Sequence, residues 1–273
     1  MKTRQTPHPK KVRRNVDNRR KDLLKKLEET AATVAPERLE AECQALCFQI
    51  LYGLPPDRQI RAASSMLERY LPIFEKKQPS ATWARRILED SDGEAVPVWN
   101  GVMPDDPDRA DSANADYWHG MSSLLHARWY KDDPARRTAN ACCTMAAAAQ
   151  ARARNVWLAD DPEAARIQME EDAFWAIDRE LPADAPPANP PAYFKELETP
   201  AHGRYYNAAF IAVYRREWMH VVEWLRAEAV WQYPEPEDLD AMTQSLALWQ
   251  RQPLFPIAHP WQEAGNSPNY TPE

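Results

Sequence analysis

A six-residue pattern occurs twice in the chain and predicts where helices end and begin. Trp129 to Pro134 reads WYKDDP and Trp157 to Pro162 reads WLADDP, while a third Asp-Asp-Pro ends at Pro107. The second aspartate suits a helix N-cap, because its carboxylate can accept a hydrogen bond from an unpaired amide of the first turn. Proline suits the first helical position, where its missing N–H costs nothing. Each pattern therefore predicts a helix end, a sharp turn and a helix start.

These turns divide the middle of the chain into three predicted helices, at 112–131, 134–158 and 162–181. The tryptophan that opens each pattern is expected to close its helix against the core. Apolar residues of the first helix share one stripe at helical spacing: Trp118, Met121, Leu125 and Trp129. Helices joined by such short turns pack as antiparallel neighbours. The pattern predicts an antiparallel helical bundle; an array of helical hairpins stays open as an alternative, although the spacing is short for such a repeat.

Glycine is scarce, and this excludes several classes of enzyme. The chain has six glycines against 25 prolines, and none of the six forms a G-x-G-x-x-G, P-loop or G-x-S-x-G pattern. Nucleotide-binding α/β enzymes and α/β-hydrolases of the usual kinds need those glycines for close backbone approach or a tight turn. No alternating strand pattern of useful length is present either. The fold class expected is all-α.

Proline-rich stretches and charge divide the chain into predicted segments. The expected order is a basic arm at 1–26, an N-terminal helical segment at 27–90, a linker at 91–111, a main bundle at 112–252 and a Pro-rich tail at 253–273. Within the bundle, 182–200 is a Pro-rich insertion, and a last helix is expected near 236–251. The two N-terminal helices meet at the sequence YGLPPD, where two prolines disfavour a DNA-reading helix-turn-helix.

The basic arm carries most of the charge asymmetry. Residues 1–26 hold eleven Lys and Arg against Asp17 and Asp22, a balance of +9, whereas the remainder has a balance of −16. Such a density of cations is typical of segments that neutralise nucleic-acid phosphates. We expect a disordered arm that contacts DNA or RNA through Lys10, Lys11, Arg13, Arg14, Arg19, Arg20, Lys21, Lys25 and Lys26. A solvated tail, or an arm for an acidic protein or membrane surface, stays open.

Two segments pair a carboxylate with a histidine three residues later. Asp116 and His119 stand in DYWH, and Glu217 and His220 stand in EWMH, a spacing that resembles the ligand pattern of di-iron carboxylate bundles. At about 100° per residue, both histidines fall away from the apolar stripes of their helices, whereas metal ligands must point inward. We therefore expect no metal and no other cofactor. Glu170 instead interrupts an apolar stripe, which predicts a buried carboxylate with either an arginine partner or a raised pKa.

Aromatic residues near the C-terminal end of the main bundle offer a possible contact surface. The segment REWMHVVEWLRAEAVW is amphipathic, and its tryptophans are candidate contacts for a protein partner or a second copy: Trp218, Trp224 and Trp231. Core packing of these residues is the stronger expectation.

Cysteine usage and hydropathy indicate the compartment. Cys43 and Cys47 share a helix face and Cys142 and Cys143 are adjacent, so none forms an evident oxidised pair. A reducing, cytoplasmic compartment is expected. The Cys43 and Cys47 spacing could offer thiolates to zinc, but buried small side chains explain it better. No run approaches the roughly 20 apolar residues that a membrane span needs.

Taken from the residues alone, the chain is expected to be a non-enzymatic helical adaptor that attaches to DNA or RNA as part of a nucleoprotein assembly. A second hypothesis is an acidic inhibitor or immunity-type protein that binds a basic protein through the −16 remainder. A third and weaker hypothesis is a metal-dependent helical-bundle enzyme that uses the carboxylate–histidine pairs.

Overall fold

The computed structural model describes residues 9–89, 112–130, 132–180, 189–193 and 207–228, with only the backbone described at 9–16, 112–115 and 175–180. Within these residues the chain forms eight helices and no strand, which confirms the all-α prediction. The helices are α1 (Pro9–Thr33), α2 (Pro36–Tyr52), α3 (Pro56–Lys77), α4 (Trp83–Glu89), α5 (Ser112–Trp129), α6 (Pro134–Asp160), α7 (Pro162–Glu180) and α8 (Ala208–Ala227).

Helix α6 is the central element of the bundle. It packs against α2, α3, α5, α7 and α8, and most of its alanines are buried. Small side chains allow this close approach, since they keep neighbouring backbones near the axis of α6. On α5, a Cβ added at Gly120 would lie 2.8 Å from Leu67 Cδ2 and 3.5 Å from Ala147 Cβ. Any larger residue at this position would therefore require the Leu67 side chain to shift where α3, α5 and α6 meet.

The Asp-Asp-Pro patterns set the helix starts as predicted. Asp133 Oδ1 accepts a hydrogen bond from the Arg136 amide at 3.0 Å, and Asp161 Oδ1 accepts one from the Ala164 amide at 3.0 Å. Both caps are followed by proline at the first helical position. The bounds of α5, α6 and α7 agree with the predicted ranges to within two residues. The third pattern, ending at Pro107, lies outside the described residues.

The tryptophans that open the two patterns differ in their surroundings. Trp157 is buried and meets Phe210 of α8 edge-on, with ring centroids 6.2 Å apart. Trp129, the last residue of α5, is 59% exposed. The prediction that the tryptophan closes its helix against the core is thus confirmed for Trp157 and wrong for Trp129. The turn chemistry is local, whereas the burial of Trp157 involves α8, a helix distant in the chain.

The helices before and after the predicted linker share one hydrophobic core. A single cluster of buried side chains extends from Leu23 in α1 to Leu225 in α8 and includes residues of α2, α3, α5 and α6. The predicted linker, the tail and the helix near 236–251 lie outside the described residues, as does most of the 182–200 insertion. Of the described helices, none combines the length and apolar character needed to cross a membrane.

The basic arm was predicted to be disordered over residues 1–26. Residues 9–26 instead belong to helix α1. Lysine and arginine are good helix formers, so charge density does not prevent a helix there. An apolar stripe then holds the helix on the bundle through the buried side chains of Leu23, Leu24, Leu27 and Ala31. Residues 1–8 lie outside the described residues.

Candidate nucleic-acid interface

Helix α1 has an apolar face on the bundle and a cationic face in solvent. The buried positions recur every three or four residues from Leu23 onward, which is the period of a helix face. Next to these buried positions, the side chains of Lys21, Lys25 and Lys26 are exposed. Lys25 Nζ lies 3.6 Å from Glu29 Oε1, but its side chain is 74% exposed. Three ammonium groups are therefore presented to solvent by a helix that the core holds in place.

Arg20 is turned the other way, toward the end of α8. Its Nη2 donates to the carbonyl oxygen of Leu225 at 2.9 Å and also contacts the carbonyls of Arg226 and Glu228. The last carbonyls of a helix lack intrahelical partners and carry partial negative charge, so a guanidinium stabilises them. Of the predicted phosphate-binding residues, Arg20 is thus occupied by α8 in this conformation.

An arginine of α8 makes the equivalent contact with the C-terminal end of α1. The Arg215 guanidinium donates to the carbonyl oxygens of Ala31 and Val34, both at 2.6 Å, at the C-terminal end of α1. An ion pair between Arg226 Nη2 and Glu28 Oε2, at 2.7 Å, also joins the two helices. The two helices therefore run antiparallel, and α1 is held to α8 at two levels in addition to its apolar face.

The first part of α1 continues past the end of α8. Because α8 ends at the level of Arg20 and the helices are antiparallel, residues 9–19 extend beyond that end. Eleven helical residues have a length of about 16 Å. These first turns of α1 carry Arg19, whose side chain is exposed, together with Lys10, Lys11, Arg13 and Arg14, whose side chains lie outside the described residues.

No protein-family model, curated protein or solved structure matches the chain.

The carboxylate–histidine pairs are not assembled into a metal site. Glu217 is fully buried, and its carboxylate accepts hydrogen bonds from Arg152 Nε at 2.7 Å and from Arg69 Nε at 2.9 Å. Asp116 instead accepts from Arg154 Nε at 2.8 Å. Both carboxylates are thus neutralised by guanidinium groups, and a metal ion would have to displace them.

Each histidine of the two pairs has a contact outside its own pair. His220 Nδ1 lies 3.3 Å from Glu223 on the outer side of α8, and the ring of His119 meets Trp118 edge-on. Among the residues that the structure describes, no group of three or more histidine, cysteine or acidic side chains could hold a metal ion.

The prediction that Glu170 is a buried carboxylate is wrong. Glu170 does have the predicted arginine partner, Arg166 Nη1 at 2.5 Å, but its side chain is 42% exposed and therefore not buried. The enclosed carboxylate is Glu217. A signal for it exists in the sequence, because Glu217 stands three residues after Tyr214 and four before Val221, both of which are buried.

The candidate contact tryptophans of α8 are largely core residues. Trp218 is fully buried and packs against Tyr214 with ring centroids 6.2 Å apart. It therefore fills the core, as the stronger expectation had it, and cannot form a contact surface. Trp224 is half-buried, and Trp231 lies outside the described residues.

Three of the four cysteines are buried thiols within the bundle. Cys43, Cys47 and Cys142 are enclosed, Cys143 is partly exposed, and none of the four is in a disulfide. The Cys142 thiol donates to the Gln44 carbonyl oxygen at 3.3 Å. Burial raises the pKa of the Cys43 and Cys142 thiols well above the usual value, so both stay protonated. These two cysteines behave as small core side chains.

Proposed function

We propose that this protein is a non-enzymatic helical adaptor that attaches to DNA or RNA through α1, as an accessory component of a nucleoprotein assembly. The observation that supports the proposal best is the asymmetry of α1. One continuous helix of 25 residues has its second half on the core and carries lysines and arginines on its solvent side and in its first turns.

The proposed contacts are mostly to phosphates. Each lysine or arginine that neutralises a phosphate releases condensed counterions, which drives sequence-independent binding at low salt. Helix α1 contains no aromatic residue, so it has no side chain on which single-stranded bases could stack. We place the protein in a cytoplasmic, reducing compartment, in keeping with its free cysteines. The remaining bundle would bind a protein partner or a second copy.

The rival hypotheses have less support. An inhibitor of a basic protein needs free acidic surface, but described surface carboxylates such as Glu75 and Glu163 are paired with arginines of the same chain. A metal-dependent enzyme needs Asp116 and Glu217 as ligands, and both already accept hydrogen bonds from guanidinium groups.

The test neutralises cations in the first turns of α1 and keeps the fold. Deleting residues 1–26 would also remove Leu23 and Leu24 from the core, so the change to make is glutamine at Lys10, Lys11, Arg13 and Arg14. Glutamine is a good helix former, and α1 should persist. By fluorescence anisotropy with a duplex of about 20 base pairs at about 50 mM salt, affinity should fall at least tenfold. The plot of log affinity against log salt should flatten by about 0.9 for each phosphate that the variant no longer neutralises.

A matched variant controls for net charge. Glutamine at four exposed cations near the end of α3 and on α4 makes the same change in total charge outside α1: Lys76, Lys77, Arg85 and Arg86. This control should bind nearly as well as the unchanged protein. An equal loss of affinity in both variants, or no binding by the unchanged protein to any nucleic acid, would refute the proposal.

A further inference from the structure

Two arginines and one carboxylate meet where α3, α6 and α8 pack together, so this cluster has one positive charge in excess. Glu217 is fully buried, whereas the side chains of Arg69 and Arg152 are 33% and 26% exposed. We propose that the two arginines bind a small oxyanion of the phosphate or sulfate class. This site lies outside α1 and does not depend on the proposed function.

The buried carboxylate holds both guanidinium groups in place. Arg69 donates to both oxygens of Glu217, from Nε at 2.9 Å and from Nη2 at 3.3 Å. Arg152 donates from Nε to Glu217 Oε1 at 2.7 Å and from Nη1 to the Arg69 carbonyl oxygen at 2.7 Å. Because each guanidinium has two fixed contacts, its orientation is set before a ligand binds, which lowers the entropy cost of binding.

Both arginines keep donors that these contacts do not use. A guanidinium has N–H groups on all three of its nitrogens, and within the described part of the chain Arg69 Nη1 and Arg152 Nη2 have no further partner. Since Glu217 is enclosed and both arginine side chains reach solvent, an ion approaches the pair from outside. A planar, weakly hydrated fork of donors matches the oxygens of phosphate or sulfate.

The charge balance of this cluster is the reverse of that at other arginines of the described chain. Two arginines on the surface each contact two carboxylates: Arg85 contacts Glu75 and Glu89, and Arg166 contacts Glu163 and Glu170. At Glu217, two arginines share one carboxylate instead. Their guanidinium groups repel each other, and a bound anion would offset that repulsion. The excess charge therefore favours an anion here and not at Arg85 or Arg166.

The first measurement titrates the unchanged protein with inorganic phosphate and with sulfate. Isothermal titration calorimetry in a chloride buffer of constant ionic strength should give one ion per chain, with a dissociation constant of about 1 mM or below. Constant ionic strength removes the general screening effect of salt. The absence of saturable binding for both ions would overturn the proposal, whatever the variants below show.

The second measurement removes the fork and keeps the charge. Arg69→Lys and Arg152→Lys each leave a cation beside Glu217, and phosphate affinity should fall about tenfold, because hydrogen bonds to a charged ligand are lost. The matched control is Arg85→Lys, which changes an arginine that has carboxylates on both sides and should leave the affinity unchanged. The two test variants lie on different helices, so either one that melts like the unchanged protein suffices. Equal affinity in the control and in a folded test variant would overturn the site.

A DNA duplex also presents phosphates, so the same variants are measured against it. Arg69→Lys should keep the duplex affinity of the unchanged protein. The α1 variant should in turn keep the affinity for inorganic phosphate while it loses duplex affinity; it has glutamine at Lys10, Lys11, Arg13 and Arg14. A loss of duplex affinity in Arg69→Lys would overturn a separate site for small ions. Failure of the α1 variant to lose duplex affinity would count against the proposed function alone.

Discussion

The segments DYWH on α5 and EWMH on α8 have the same acid–histidine spacing but different surroundings. Glu217 is enclosed where α3, α6 and α8 meet, and it accepts hydrogen bonds from Arg69 and Arg152. Asp116 lies nearer the surface and accepts from Arg154, which also approaches Gln168 on α7. A ligand-like spacing therefore does not define a metal site, because the partner of each carboxylate depends on which helices pack against it.

The cluster at Glu217 links three helices through one carboxylate. Arg152 Nη1 also donates to the Arg69 carbonyl oxygen at 2.7 Å, so the two arginines are tied to each other as well as to Glu217. A buried charge is costly without partners, and here the side chains of both arginines keep partial contact with solvent. The cluster therefore sets the register between α3, α6 and α8 more than it adds net stability.

The largest effect should come from removing the enclosed carboxylate. Glu217→Ala would leave two guanidinium groups facing each other in the bundle, and the free energy of unfolding should fall by about 3 kcal/mol, with the partial exposure of the arginines limiting the decrease. Urea denaturation followed by circular dichroism measures this. Adding Arg69→Leu and Arg152→Leu to Glu217→Ala should recover part of the stability. A Glu217→Ala protein as stable as the original would show that the cluster is not enclosed.

A smaller effect should follow at the other carboxylate. Asp116→Ala removes one charged hydrogen bond, and the free energy of unfolding should fall by about 1–2 kcal/mol. One arginine instead of two loses its carboxylate, and Arg154 keeps Gln168 nearby, so less charge is stranded than at Glu217. The same denaturation experiment measures both variants. If Asp116→Ala cost as much as Glu217→Ala, the contrast between the two sites would disappear.

The smallest effect should come from the histidine of the α8 segment. His220 lies on the outer side of α8 beside Glu223, and His220→Ala should change the free energy of unfolding by less than about 0.5 kcal/mol. Added Fe²⁺ or Mn²⁺ should leave the melting temperature of the unchanged protein where it was. A metal-dependent rise that His220→Ala abolishes would restore the metal-site hypothesis and remove the distinction between the two segments.

The helix boundaries could be predicted from the sequence because their causes are local. The cap at Asp133 and the cap at Asp161 each depend on a carboxylate, an amide three residues later and a proline between them. The tryptophans of the same patterns could not be assigned in this way. Trp157 and Trp129 have similar neighbours in sequence, yet one is buried and the other is exposed, since burial depends on a distant helix.

The candidate interface on α1 also combines local features with features that depend on distant helices. The all-α class, the positions of the central turns and the concentration of cations near the start of the chain could be predicted, because helix propensity, capping and charge act over a few residues. Tertiary contacts were needed to show that α1 is anchored at Arg20, that Arg20 faces α8 while Lys21 faces solvent, and that Glu217 is enclosed. Those outcomes depend on which surfaces meet across the bundle, and such contacts join residues as far apart in the chain as Arg20 and Leu225.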